Sequence, residues 1–437
     1  MKKLFTLLVF LVILVAIGGA GYMFFKDMDG PVIVMEPDTG KIAPAKDITL
    51  HLADMDSGVR SVSVSIRKDA NSLVVHEQFF ASSPKEATVT FSLKNSGVRD
   101  GQIEMEIKAV DASMAGFGRG NTTVRTLDLT VDNVPPRITV LSPPGAAGRK
   151  GSACAVSYTL SEEVSLTGIQ VGDEFFTAYR QDSDTYFCIF AFPISLDTNR
   201  FTPEILATDM AGNVGRSRLL LPARDRQFKH DTLTIGDNFL DTKMPAFAEA
   251  VPEAQTNLER YVAVNNVVRV ANEQTLRDIA KKTAPTMLWQ GAFARLPRAA
   301  SRANFGDNRT YKYNGEVIDH QTHMGIDLAS VKHAPIPAGN AGIVVFADEL
   351  GIFGKLVIID HGLGLMSLYS HMSNIDVPVG AQVNKGDTLG QTGVTGLAGG
   401  DHLHFGMLVN GIQIEPTDWF GAKWIQDNIT ARLRHTP

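Results

Sequence analysis

The residues best equipped for chemistry are histidines, and seven of the eleven lie between His320 and His404. His402-Leu403-His404 sits on a strand-like run, Asp401–Asn410. Side chains at i and i+2 of a strand share a face, so these two rings can converge on one point. Upstream stand His323-Met324-Gly325-Ile326-Asp327 and Tyr369-Ser370-His371. An imidazole, a carboxylate and a second imidazole suit a catalytic zinc ion, with a fourth position left for water. Three remote segments must fold together to build such a site, which makes it tertiary and not a local finger. Any one of these histidines alone reads most simply as solvated or hydrogen-bonded. The HxxxD, YxH and HxH segments together read as a metal cluster.

Short strands are expected to carry these segments: Ala341–Phe346, Lys355–Asp360, Leu365–Tyr369 and Thr388–Gln391, with glycines at the turns between them, as in an antiparallel sheet. Val379–Asp387 reads as a tight turn pair that lets distant strands meet behind the cluster. Gly393, Gly396, Gly399 and Gly400 make the approach to His402 permissive. They are not a phosphate cradle, because no Gly-Lys-Ser/Thr follows them. No HExxH helix is present, so no glutamate acts as base in the manner of helical zinc proteases.

With Gly386-Asp387-Thr388-Leu389-Gly390 and Thr395-Gly396 between them, His323–Asp327, Tyr369–His371 and His402–Phe405 resemble the LytM/lysostaphin-type zinc metallopeptidases. The resemblance covers about Pro297 to Trp424 and includes an entry motif, Phe305–Arg309. It implies that His323, Asp327 and His404 bind one Zn2+ per chain. It also implies that His371 and His402 hold and polarise water and steady the transition state. The implied function is a zinc endopeptidase cutting stem peptides or cross-links of peptidoglycan. Two other readings are a non-catalytic activator of cell-wall amidases and a protease acting on envelope proteins. The departure from the family pattern is Gly406, where many members carry Glu; that position bears on substrate preference. His320, His333 and His361 are expected to be supporting or surface groups, and Tyr369 to pack or hydrogen-bond behind the site. Arg309 is open between meeting a substrate carboxylate and pairing on a strand surface.

A chain of 437 residues suggests about three domains, and 44% hydrophobic with 20% charged residues describes a globular protein. The formal charge of −6 argues against nucleic acid as a partner. Met1-Lys2-Lys3 precedes an apolar run, Leu4 to Phe25, long enough to cross a bilayer. Residues 1–27 therefore read as a cytoplasmic tip and signal anchor, with cleavage at the small residues Ala16–Gly21 as the alternative. The chain would be single-pass in the inner membrane, with its bulk in the periplasm or cell envelope.

The expected fold is mostly β. Residues 28–134 and 135–224 read as two immunoglobulin-like sandwiches. Alternating strands and a weak repeat support this: Pro31–Pro37 resembles Pro136–Pro143, and Ala109–Ser113 resembles Ala207–Asn213. They could dock an envelope protein. Asp111 and Asp209 in the repeated turn are open between turn formation and calcium binding. Cys154 and Cys188 are open between a disulfide and two buried thiols. Residues 225–297 form a partly helical connector, 298–425 an antiparallel zinc peptidase domain, and 426–437 a tail.

Overall fold

The computed structural model describes residues 2–38, 40–68, 71–145, 147–181 and 184–433. Strands dominate, and the chain divides into two units.

The first unit comprises Met1–Pro136 with Glu162–Ser165 and Thr208–Val214. It is built around a sandwich. One sheet holds Val32–Glu36, Ile48–Ala53 and Glu86–Phe91; the other holds Val59–Lys68, Asn71–Phe79, Gly101–Asp111, Thr122–Val131 and Lys41–Ile42. Alternate residues point inward, so Leu50, Val64, Met105 and Ile107 are buried in one core. Lys2–Phe25 forms a continuous helix, yet among the described residues no helix is long and apolar enough to cross a membrane. The expected spanning helix is thus not borne out. Met1 lies outside the described residues.

The second unit contains most of the second sandwich, the connector and the C-terminal domain. The two cysteines lie on adjacent strands but out of register: Cys154 faces Phe190, and Cys188 faces Val156. Both are free, buried thiols. Burial, with a smaller push from the Asp418 charge, moves the Cys154 thiol up to about 12.

The connector is less separate than its composition suggests. His230–Thr234 pairs in parallel with Asn308–Tyr313, so a strand of the connector joins the sheet at the start of the C-terminal domain. Two helices follow, Asn257–Ala263 and Arg269–Ala280, joined by one π turn. The first starts at a capping box in which Thr256 and Glu259 satisfy each other's backbone amides.

The C-terminal domain is a largely antiparallel sheet whose central ladder runs through Ile326–Ala329, Leu403–Val409, Leu365–Ile375, Gly354–Asp360 and Gly342–Leu350. Its two faces have different cover. Leu403, Phe405, Met407 and Val409 face a core that also includes Trp419. Leu408, on the opposite face, packs with Leu368, Leu356 and the connector residues Tyr261, Val264 and Leu276. The expected tail departs from expectation: Gln426–Thr430 and Ala431–Leu433 are helical, and Ile429 is buried in the Trp419 core. Residues 434–437 lie outside the described residues.

Candidate metal centre

Strand register assembles the cluster. Asp327 stands opposite His404 in the antiparallel pairing of Ile326–Ala329 with Leu403–Val409. Side chains directly opposite across such a pair start about 4.5–5.5 Å apart, so a carboxylate and an imidazole meet without any loop having to bring them together. His323 enters from the turn just before, anchored by backbone bonds in both directions with Asp307 and Gly306.

His371 sits where its strand changes partner. Ser370 still pairs with His404, whereas Met372 pairs with Thr392. His371 takes φ 63° at this switch, a left-handed backbone that is uncommon outside glycine and concentrated at functional sites.

Three donor atoms converge. His323 Nε2 lies 3.0 Å from Asp327 Oδ1 and 3.0 Å from His404 Nδ1, and His404 Nδ1 lies 2.9 Å from Asp327 Oδ1. Ligands held about 2.0–2.1 Å from one ion at tetrahedral angles are roughly 3.3 Å apart, so the donor set fits zinc with little adjustment. His323 Nδ1 donates to the Asn304 carbonyl at 2.9 Å, which leaves a lone pair on Nε2 facing the cluster. Arg309 Nη2 meets Asp327 Oδ2 at 3.2 Å, holding one carboxylate oxygen and leaving Oδ1 for the cluster. The contact runs between two sheets, from the strand Asn308–Tyr313 onto a cluster residue in Ile326–Ala329, and leaves the substrate reading of Arg309 open.

The other two histidines flank the triangle. His371 Nδ1 donates to the Thr395 carbonyl at 2.9 Å and His402 Nδ1 to the Gly400 carbonyl at 2.8 Å. Both Nε2 atoms are thereby left for the cleft, and that of His402 is 3.4 Å from Asp327 Oδ1. The His371 and His402 ring centres are 5.0 Å apart.

The electrostatics separate these groups. Burial pushes the Asp327 carboxyl up, but the close His323, His402 and His404 rings outweigh it and hold it well below the usual carboxylate range. Burial, helped by the neighbouring His402 and His404, pushes His371 well down. Burial pushes His402 down too, but the bond to Asp327 and its charge leave it raised. For His404 burial prevails and lowers it to about 4.

The structure thus brings His323, Asp327, His371, His402 and His404 to one cleft. His320 and His333 lie apart, on Thr310 and the Thr392 carbonyl. His361 is fully buried, donating from Nδ1 to the Ala341 carbonyl at 2.7 Å, with Nε2 2.7 Å from Ser367 Oγ. Tyr369 is buried behind the sheet, where its hydroxyl accepts from Gly339 N at 2.7 Å.

Gly325 is a contributor that residue chemistry alone does not announce. A Cβ there would stand 2.6 Å from both Cε1 and Nε2 of His404, so only glycine lets the ring lie where it does. Its place between His323 and Asp327 is the one sequence signal that could have flagged it. The cleft, a cavity of about 340 Å³, has the sheet as one wall and the connector residues Leu233, Phe239, Tyr261 and Arg269 as another. The connector therefore does pack over the cluster.

Residues 321–416 match the model of peptidase family M23. The DD-carboxypeptidase/endopeptidase Mpg of Neisseria meningitidis is 35% identical over 106 residues, 24% of this chain and 24% of that protein. The murein hydrolase activator EnvC of Escherichia coli is 29% identical over 111 residues, 25% of this chain and 26% of its own. A peptidase M23 structure from Pseudomonas aeruginosa aligns at 20% identity over 63% of this chain and 95% of that one, with a TM-score of 0.42. The matched segment thus spans about a quarter of the length of these curated relatives. Residues 321–416 are a peptidase family M23 domain within a longer chain, and the LytM/lysostaphin-type resemblance is borne out for that segment.

Proposed function

We propose that this chain is a zinc-dependent endopeptidase acting on peptide stems or cross-links of peptidoglycan. The observation that carries the reading is the triangle of His323 Nε2, Asp327 Oδ1 and His404 Nδ1, with no edge longer than 3.0 Å. These three atoms would hold the ion. When bound it supplies Lewis acidity, polarising a peptide carbonyl and making water nucleophilic near neutral pH.

The protein's own groups do the rest. Asn304 and Arg309 fix the faces that His323 and Asp327 present. His371 and His402, each locked through Nδ1 to a backbone carbonyl, aim Nε2 at the cleft. There they are placed to accept a proton from the attacking water and to donate to the developing oxyanion. The connector residues Leu233, Phe239, Tyr261 and Arg269 wall one side of the cleft.

Support for peptidoglycan comes from the M23 match and from the activity in the name of the Neisseria relative. EnvC shows that a relative of this segment can be named as an activator; in favour of hydrolysis here, the three donors His323, Asp327 and His404 are all present, with His371 and His402 beside them. A peptidoglycan substrate would put the working part of the chain in the periplasm or cell envelope.

The test is to incubate the full chain with purified sacculi, with and without chelator, beside His404→Ala. Chelator-sensitive release of peptides that His404→Ala abolishes is the expected outcome. Hydrolysis and zinc content that both survive His404→Ala would overturn the assignment.

A further inference from the structure

A second set of acids lies in the first sandwich, remote in sequence from the histidines. Asp27 is on the segment entering the sandwich, Asp54 follows the strand Ile48–Ala53, and Asp111 ends the strand Gly101–Asp111. One carboxylate oxygen from each comes within 4.8 Å of the other two. The three residues are only 7%, 7% and 0% exposed. Charges gathered out of water at this spacing repel one another unless a cation sits among them.

Most of the local hydrogen bonds belong to the turns. Asp54 Oδ1 accepts from the amides of Ser57 and Gly58, and Asp111 Oδ1 from those of Ser113 and Asn121. Asp27 is different: its Oδ2 is buried and has no hydrogen-bond partner among the described residues. The nearby cation, Arg60, is engaged with the Gly118 carbonyl. A buried carboxylate oxygen left without a partner, with two further carboxylates beside it, is what a ligand awaiting a hard ion looks like.

The arrangement is repeated. Asp132, Glu162 and Asp209 also bring carboxylate oxygens within 4.8 Å of one another. Asn121 Nδ2 donates to Asp111 Oδ2 at 2.7 Å and to the Asp27 carbonyl at 3.2 Å; Asn213 Nδ2 donates to Asp209 Oδ2 at 2.8 Å and to the Asp132 carbonyl at 3.0 Å. A turn formed for backbone reasons alone would repeat Asp111/Asp209 and Asn121/Asn213. It would not require an acid on two other segments each time.

We propose that Asp27, Asp54 and Asp111 form a binding site for a hard divalent cation of the calcium class. All the donors are oxygens and no histidine or cysteine takes part, which selects calcium over zinc. The ion would fasten the entering segment at Asp27 to the end of the sandwich.

The test uses the full chain in mild detergent, stripped with chelator and titrated with calcium chloride by calorimetry. Saturable binding with Kd about 10⁻⁴–10⁻³ M is expected, the range of extracellular calcium modules. Asp27→Asn should remove one class of sites or weaken it roughly tenfold or more. It should not lower the calcium-free unfolding temperature, since it removes one of three crowded charges and Asp27 Oδ2 has no hydrogen-bond partner among the described residues. His404→Ala should leave calcium binding intact. No binding up to about 10 mM, well above that range, would overturn the proposal. So would Asp27→Asn binding calcium with undiminished affinity and stoichiometry.

Discussion

Replacing Gly325 by alanine tests whether the sheet geometry makes the metal centre. The added methyl carbon would lie 2.6 Å from two atoms of the His404 ring and 2.7 Å from the Phe405 carbonyl oxygen. Carbon contacts are comfortable from about 3.5 Å, so the ring must retreat by roughly 1 Å. Metal sites tolerate ligand displacements of only about 0.2 Å. Losing the orientation of one ligand typically weakens metal binding tenfold to hundredfold, ~1.4–2.8 kcal/mol. Competition of the metal-free chain with a chromogenic chelator for zinc reads this directly. Gly406→Ala is the internal control: it lies two residues from His404, but its Cβ would meet Leu368 Cβ at an ordinary 3.5 Å. The reasoning fails if Gly325→Ala, folded as judged by its unfolding midpoint, keeps wild-type zinc affinity, or if Gly406→Ala loses as much.

Three further outcomes are expected. His371→Ala should retain zinc by elemental analysis while turnover falls by about 10²–10⁴, the usual reach of a proton-transfer group; equal loss of zinc would make His371 a ligand. Arg309→Met should weaken zinc binding by about tenfold, because Asp327 Oδ2 loses its partner; an effect confined to KM would assign Arg309 to substrate instead. His361 is lowered from 6.5 to about 4 by burial, partly offset by its bond to Ala341. The unfolded chain therefore takes up this proton first as pH falls, and stability present above pH 6.5 should drain away by about 3 kcal/mol on reaching pH 4. Urea unfolding of wild type and His361→Asn at both ends of that window should show their difference shrinking at the acid end.

Much of the cluster was legible because its residue types are rare and its spacings periodic. His402 and His404 share a face because a strand has period two, and that follows from the sequence alone. The register that sets Asp327 against His404 does not, since pairing between segments 77 residues apart depends on the whole sheet. Asn304, Thr395 and Gly400 orient the histidines through backbone carbonyls, which any residue could supply and no motif reports. Of the two expected roles for His361, supporting or surface, the structure gives the first: it is fully buried, because a histidine with both nitrogens bonded can replace an apolar residue in a core. The connector's helices were readable from their charges and caps. The parallel pairing of its strand His230–Thr234 was not, because the partner lies about 80 residues away.

The facing of Asp327 and His404 across two neighbouring strands carries a further consequence. Their spacing is dictated by the ladder and not by the length of chain that separates them. Insertions in the intervening hairpins, such as the turn at Gly380, could lengthen the protein's surface without moving either donor. A slip of one residue in that single pairing would instead turn His404 away from its partners and dismantle the centre, though every residue needed to make it were still present.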